Sequence, residues 1–415
     1  MWSVNRSPGG CGWYYGWNIV AIGILSQVAA NGLTYNSFSL FLRDWSTEMH
    51  APVSRLQLSI AAMVLPSALL APVVGSLADK FPARRLCAAG LLGMAGFYFA
   101  VSATTAGWQI TALYGLLAPL PACLATGLTV NTVVSRWFVR RRGLALGLSS
   151  FGVGMAGILL PPLIAAALPA FGWRMIWRVG GLVLALLVMP LVLAIMRHQP
   201  TEREGLHYLS NGDQRRQPSS KAAQLTVREI LSRKNFWLVI VSYVPLMALS
   251  SGFLQNLAPY TLNHGLSRQF AGTLISLFSL SYLLATFLTG PLSDRFGVRP
   301  LFAGLAVITA SGAIVAAFAT RAPAIVLGSA LIGLAGGLQT LQAAAVAAEF
   351  GASGFGRAYG LSLLFIPIAS LAPYCIAKAE ESTGSYAPAL ITLSAIVMMG
   401  GAIGLLRAER REVTG

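Results

Sequence analysis

The chain has 415 residues, 56% of them hydrophobic and only 10% charged, where an ordinary soluble domain carries about a quarter charged residues. With a mean hydropathy of +0.69, this excludes a water-soluble globular protein and points to a chain built for a lipid bilayer. The formal net charge of +16 would suggest a polyanion-binding surface on a soluble protein, but in a membrane chain it has first to be weighed loop by loop.

Apolar runs of bilayer-crossing length, each closed by charges or Gly/Pro turns, predict twelve spans. They cover 15–41, 56–78, 86–104, 108–134, 143–168, 175–196, 236–262, 270–293, 301–319, 324–348, 358–378 and 387–406. The first is too long for the apolar core of a secretory signal and lacks a cleavage site, so the N-terminus is expected to stay attached. After span six comes "HQPTEREGLHYLSNGDQRRQPSSKAAQ", polar enough to be a linker. The expected organisation is a six-helix bundle over 1–196, a cytoplasmic linker over 197–235 and a second six-helix bundle over 236–415. "GSLADKFPARR" (75–85) after span two returns as "GPLSDRFGVRP" (290–300) after span eight, with Asp79 and Asp294 215 residues apart. Such parallel halves are how one class of secondary transporters is built, with the substrate site between them near the midplane.

With a cytoplasmic N-terminus, the loops on that side hold 22 of the 29 Lys and Arg. This is the positive-inside distribution, and it accounts for most of the net charge without nucleic acid. A multi-pass protein of the plasma or bacterial inner membrane, with both termini cytoplasmic, is the expected placement. The four arginines of "RWFVRRRGLALG" (136–147) fall in one of these inner loops.

The paired "GSLADKFPARR" and "GPLSDRFGVRP" segments resemble the signature of the major facilitator superfamily, which places it after the second and eighth spans. "RWFVRRRGLALGLSSFGVGMAG" (136–157), "FGASGFGRAYGL" (350–361) and "ESTGSYAPA" (381–389) resemble, more narrowly, its monocarboxylate porter and oxalate/formate antiporter group. The resemblance implies an all-α membrane protein of twelve transmembrane helices in two pseudo-symmetric six-helix bundles. It also implies transport of a small organic solute, an organic acid first, with a proton as the coupling ion. In that superfamily the signature carboxylate helps hold the cytoplasmic side closed. Asp79, Arg140, Arg141, Arg142, Asp294 and Arg357 are therefore the gating candidates, with Asp294 expected to meet one of Arg140–142 and Asp79 to meet the start of span eleven at Arg357.

Several positions depart from the group. Pro82 stands where the signature usually has glycine, and "GWYYGW" (12–17) keeps the aromatic pattern of the first-span motif without its carboxylate. Thr286 and Tyr282 occupy the span-eight positions where mammalian-type members carry Asp and Arg, and Lys378 lies only at the outer end of span eleven. No Asp, Glu, Lys, Arg or His lies deep in any span, although intramembrane ionisable groups usually mark ion and proton paths. Glu349, Arg357, Asp44 and Glu48 are the nearest titratable groups.

The candidate substrate ligands are thus uncharged polar residues near midspan: Asn31, Tyr35, Thr126, Asn131, Gln255, Asn256, Tyr282, Gln339 and Gln342. In the superfamily spans one, four, seven and ten line the cavity, and a polar group facing lipid is costly. Each can equally serve as a helix–helix hydrogen bond. "GVGMAG" (152–157) fits G-x-G-x-x-G but lies inside an apolar helix, so close helix packing, or a bend completed by Pro161 and Pro162, replaces a nucleotide site. Four isolated histidines, four scattered cysteines and no nucleophile motif speak against an enzyme, a metal centre, a disulfide framework or a cofactor. The alternatives to acid transport are movement of a larger apolar or chelating compound, as in drug efflux or siderophore uptake, and a transporter-like sensor. The expected partners are a small-molecule substrate, a proton and the bilayer, with the chain acting as a monomer.

Overall fold

The computed structural model describes residues 14–138, 142–197 and 226–405; among them every regular element is helical. Nine helices there are long and apolar enough to cross a membrane, ten when the pair Gly107–Leu116 and Pro119–Val134, bent by 50°, counts as one span. One of these, Gly147–Ile195, holds two crossings, because Gly172 at φ 70° and ψ 162° turns the chain back between spans five and six. The remaining crossing is the first, which runs from Gly16–Asn31 through a π turn at Gly32–Asn36 into Phe38–Met49. Span one therefore ends further out than its hydropathy suggested. Its last two turns are amphipathic, and Trp45 is wholly buried while Arg43 is exposed.

We call the face carrying the basic loops inner and the opposite face outer. Left-handed glycines stand at turns on both faces: Gly172, Gly265 and Gly384 follow spans five, seven and eleven on the outer face, and Gly297 and Gly351 follow spans eight and ten on the inner. His50, which follows span one and lies 215 residues before Gly265, takes the same conformation at φ 49° without being glycine. The helix of span five runs unbroken through Pro161 and Pro162, since backbone groups freed by a proline can be satisfied by neighbouring spans. The Ile158 carbonyl, four residues before Pro162 and so without its N–H donor, accepts from Ser276 Oγ at 2.7 Å.

In lipid, helix association comes from close packing and interhelical hydrogen bonds, not from exclusion of water. In the first bundle an aromatic cluster joins the outer ends of spans one, three, four and six. Trp177 lies 5.0 Å from Tyr98 and 6.0 Å from Trp45 between ring centroids, and Phe97 lies 5.1 Å from Tyr114. The Tyr98 hydroxyl donates to the Ala30 carbonyl at 3.0 Å. In the second bundle spans nine and ten touch backbone to backbone, and a Cβ at Gly312 would lie 3.0 Å from the Gly328 carbonyl oxygen. Tyr260 ties span seven to span nine by donating to the Ala316 carbonyl at 2.6 Å.

Candidate substrate site

The bundles meet along two seams. In the first, span five lies on span eight: Ser276 Oγ donates to the Ile158 carbonyl at 2.7 Å, and a Cβ at Gly272 would come within 2.8 Å of the Pro161 oxygen. Gly154 packs on Leu283 and Gly157 on Ser279, so the glycines of "GVGMAG" do serve close approach, here between the two halves. Phe151 and Phe287, 6.0 Å apart, form the innermost ring contact of this seam. In the second seam, span two lies on spans seven and eleven. Gln57 Nε2 donates to the Gln255 carbonyl (2.8 Å) and to Asn256 Oδ1 (3.2 Å). Asn256 Nδ2 donates to the Pro373 carbonyl (3.0 Å), and Gln255 Nε2 reaches the Tyr35 carbonyl on span one (3.2 Å).

The π turn makes that last bond available. With Ser37 N bonded back to the Gly32 carbonyl, the widened turn presents carbonyls to side-chain donors, and the Thr34 carbonyl likewise accepts from Tyr114.

Two carboxylates fasten the outer rim, one from each half. Asp44 on span one takes a bidentate ion pair from Arg268 at the start of span eight, both contacts at 2.7 Å. Glu381 on span eleven caps the start of span two. It accepts from Ser54 N (2.9 Å) and Ser54 Oγ (2.7 Å), where a helix N-terminus favours negative charge. Glu48 stays within its own half, paired with Arg174 and accepting from Trp173 Nε1 at 2.6 Å. Burial works against its charge, but these donors more than offset it and hold the carboxyl below its usual range.

The hydrogen bonds that Ser54, Gln57, Gln255, Arg268 and Ser276 make between the bundles lie outward of the Phe151–Phe287 pair. Toward the inner ends a Cβ at Gly75, Gly147 or Gly360 would meet nothing within 4 Å, and Asp294 is exposed. Those hydrogen bonds close the outer end of the cleft between the bundles. The arginines expected to approach Asp294 cannot be read against it: Arg140 and Arg141 lie outside the described residues, as do the side chains of Arg142 and Asp79. Arg357 is exposed and has a partner.

The sequence-predicted ligands separate into groups. Gln255 and Asn256 are buried in the outer plug with Gln57, and Tyr35 joins them through its carbonyl. Asn31 donates to the Gln27 carbonyl one turn back, at 3.0 Å. Thr126 sits at the break within span four and bonds the Ala122 carbonyl at 2.7 Å, while Asn131 accepts from Ser149 of span five at 3.0 Å. Gln342 is buried against Ser362 at 2.9 Å, and Gln339 is exposed. Tyr282 is half-buried on span eight, and its carbonyl accepts from Thr286 Oγ1 one turn on at 2.9 Å.

Gln27, Gln57 and Glu381 were also missed. Gln27 donates to the Ser149 carbonyl at 2.7 Å, which knots spans one and five. Gln57 lay near the edge of an apolar run and Glu381 in a loop, so neither stood out by hydropathy. Their signal is spatial, since each meets a donor or acceptor about 200 or more positions away.

Two helical bundles, packed on each other along glycine-lined and amide-bonded seams, make a polytopic membrane protein of two halves. Residues 24–267 and 245–414 match the Major Facilitator Superfamily model, and the chain belongs to that family. Its apolar helices make it a multi-pass membrane protein. It is 29% identical over 194 residues to the riboflavin transporter RibJ of Trypanosoma brucei brucei, covering 45% of this chain and 34% of that protein. It is also 29% identical over 321 residues to monocarboxylate transporter 11 of Homo sapiens, covering 72% of this chain and 60% of that one. The chain thus spans less than two thirds of the length of either relative. A crystal structure of a bacterial homologue of the human lysosomal transporter Spinster, inward-facing and unoccupied, superposes with a TM-score of 0.72 at 12% identity, covering 96% of this chain and 97% of that one.

Proposed function

We propose that the chain carries a small organic acid together with a proton by exposing its central cavity alternately to the two faces of a plasma membrane, the inner face being cytoplasmic. The observation that carries this reading is the outer seal: spans one, two, seven and eleven meet through neutral amides, and opposed charges pair at the rim. A cleft closed by such contacts opens when two rigid bundles rock, with 1–196 and 236–415 as the moving halves and 197–235 as their tether. The acid assignment is supported by the three segments that resemble the monocarboxylate group and by the similarity to monocarboxylate transporter 11. On this reading the inner end closes when Asp294 meets one of Arg140, Arg141 and Arg142, and Asp79 meets the helix that begins near Arg357. A single chain suffices for the whole cycle.

A second reading, a larger neutral solute such as the riboflavin named for RibJ, is favoured by the absence of any ionisable residue in the middle of a described span. Uptake by proteoliposomes, with and without an inward proton gradient, separates the two. Accumulation of carboxylates that rises with the gradient is expected; accumulation of neutral solutes alone would overturn the acid reading.

A further inference from the structure

A carboxylate that leaves water needs a positive group to take over from its hydration. The middle of the described spans carries no such group, but the outer rim does. There, between the two halves, lies a cavity of about 600 Å³, within the size range of small-molecule sites. Asp44 and Glu48 reach it from the last turns of span one, and Leu168 and Pro169 from the end of span five. Trp173 adds the start of span six, and Arg268 is the first residue of span eight.

The charges lining this cavity differ in what already holds them. Glu48 is neutralised by Arg174 and bonded by the indole N–H of Trp173, a group that stays within the first half. Arg268 comes from the second half, and its fork holds Asp44 through both carboxylate oxygens at 2.7 Å. That two-point geometry fits any carboxylate, so Asp44 stands where the acid group of a solute would bind. Each partner keeps about a quarter of its side-chain surface exposed, and an ion pair that water reaches is held by little net energy. A dissolved acid can therefore compete for the guanidinium, with its hydrocarbon body against Leu168, Pro169 and Trp173.

We infer that the outer cavity is a capture site for a solute carboxylate, which takes the place of Asp44 on Arg268. The exchange cuts a contact that ties span one to span eight, so arrival of the solute and release of that clasp are one event. This rests on the acid-transport reading above and adds a site at the mouth of the path, with Arg268 as its ligand and Asp44 as the resident competitor.

The test uses the purified full chain in nanodiscs and three probes of one carbon skeleton, butyrate, butyramide and butylammonium, with binding read by saturation-transfer NMR. Butyrate should bind about tenfold more tightly than butyramide, since only the anion gains charge-assisted bonds from the fork. D44N and R268Q both break the clasp, yet they should move butyrate binding in opposite directions. D44N removes the competitor and should tighten butyrate binding about fivefold. R268Q should reduce it to the level of butyramide, and R268K, which keeps the charge but loses the fork, should fall between R268Q and wild type. A clasp without a solute site would give D44N and R268Q the same sign, and that result would overturn the inference. So would equal binding of butyrate and butyramide to the wild type. Butylammonium binding that is gained in R268Q and lost in D44N would overturn it too, by making the cavity a cation site. Thermal unfolding of each variant checks that it folds, and if R268Q does not, R268K and D44N still supply the opposed signs. Gradient-driven butyrate uptake with an unchanged KM in R268Q would overturn the capture site and leave the acid reading standing. Butyrate that binds as expected but never accumulates would overturn the transport reading and leave the site.

Discussion

His50 is strained where its counterpart is not. Both His50 and Gly265 end a span at the outer face in the left-handed region, but only glycine adopts that region without a Cβ clash. H50G should therefore raise thermal stability, by about 1 kcal/mol; an unchanged or lower melting temperature would count against it. Gly336 is the opposite case, because a methyl group there meets the Tyr282 carbonyl, which cannot move without shifting span eight. G336A should cost about 1–3 kcal/mol by overpacking, read as a lowered melting temperature in detergent. Glu48 carries a pH dependence whose sign follows from its depressed pKa. Its contribution is present above the usual glutamate value of 4.5 and is lost as pH falls through the lowered value in the folded protein. The pair with Arg174 is about a third to a half exposed, so screening keeps the effect small. E48Q should flatten the acid limb of the stability profile below pH 4.5, and an acid limb identical to wild type would refute the assignment.

Spans rotate as units, so the contacts between them decide which way the molecule stands open. The outer rim depends on Asp44 with Arg268 and on Glu381 at the start of span two, and both clasps must part before the outer end can open. Neutralising either leaves neutral hydrogen bonds worth about 1 kcal/mol less, roughly a fivefold shift in population toward the outward-open form. Spin-label distances between exposed Thr105 and Thr383, in a cysteine-free background, should lengthen in D44N and E381Q; distances matching wild type would show that the clasps do not hold the rim. Hydropathy did identify these helices, but it placed the end of span one near residue 41. The last turns, to Met49, alternate charged residues with buried aromatics, and an average along the chain cannot separate a polar helix face from a loop. The same averaging hid Gln57, which lay near the edge of an apolar run.

At the scale of the whole molecule, the two halves repeat in sequence and in backbone, as Asp79 with Asp294 and His50 with Gly265 both show at a spacing of 215 residues. The sequence by itself determined the membrane class, the twelve crossings, the internal repeat and the family. Apolar length, turn residues and short motifs are properties of contiguous residues, and the bilayer imposes them locally. Only the tertiary structure decided which polar residues meet. Asn256 and Gln57 join across the halves, while Asn131 and Gln342 bond within theirs. It also decided how the outer end is closed. Both outcomes depend on how each helix is rotated about its axis and which neighbour it meets, and a polar residue in an apolar run carries no information about either until the helices are packed.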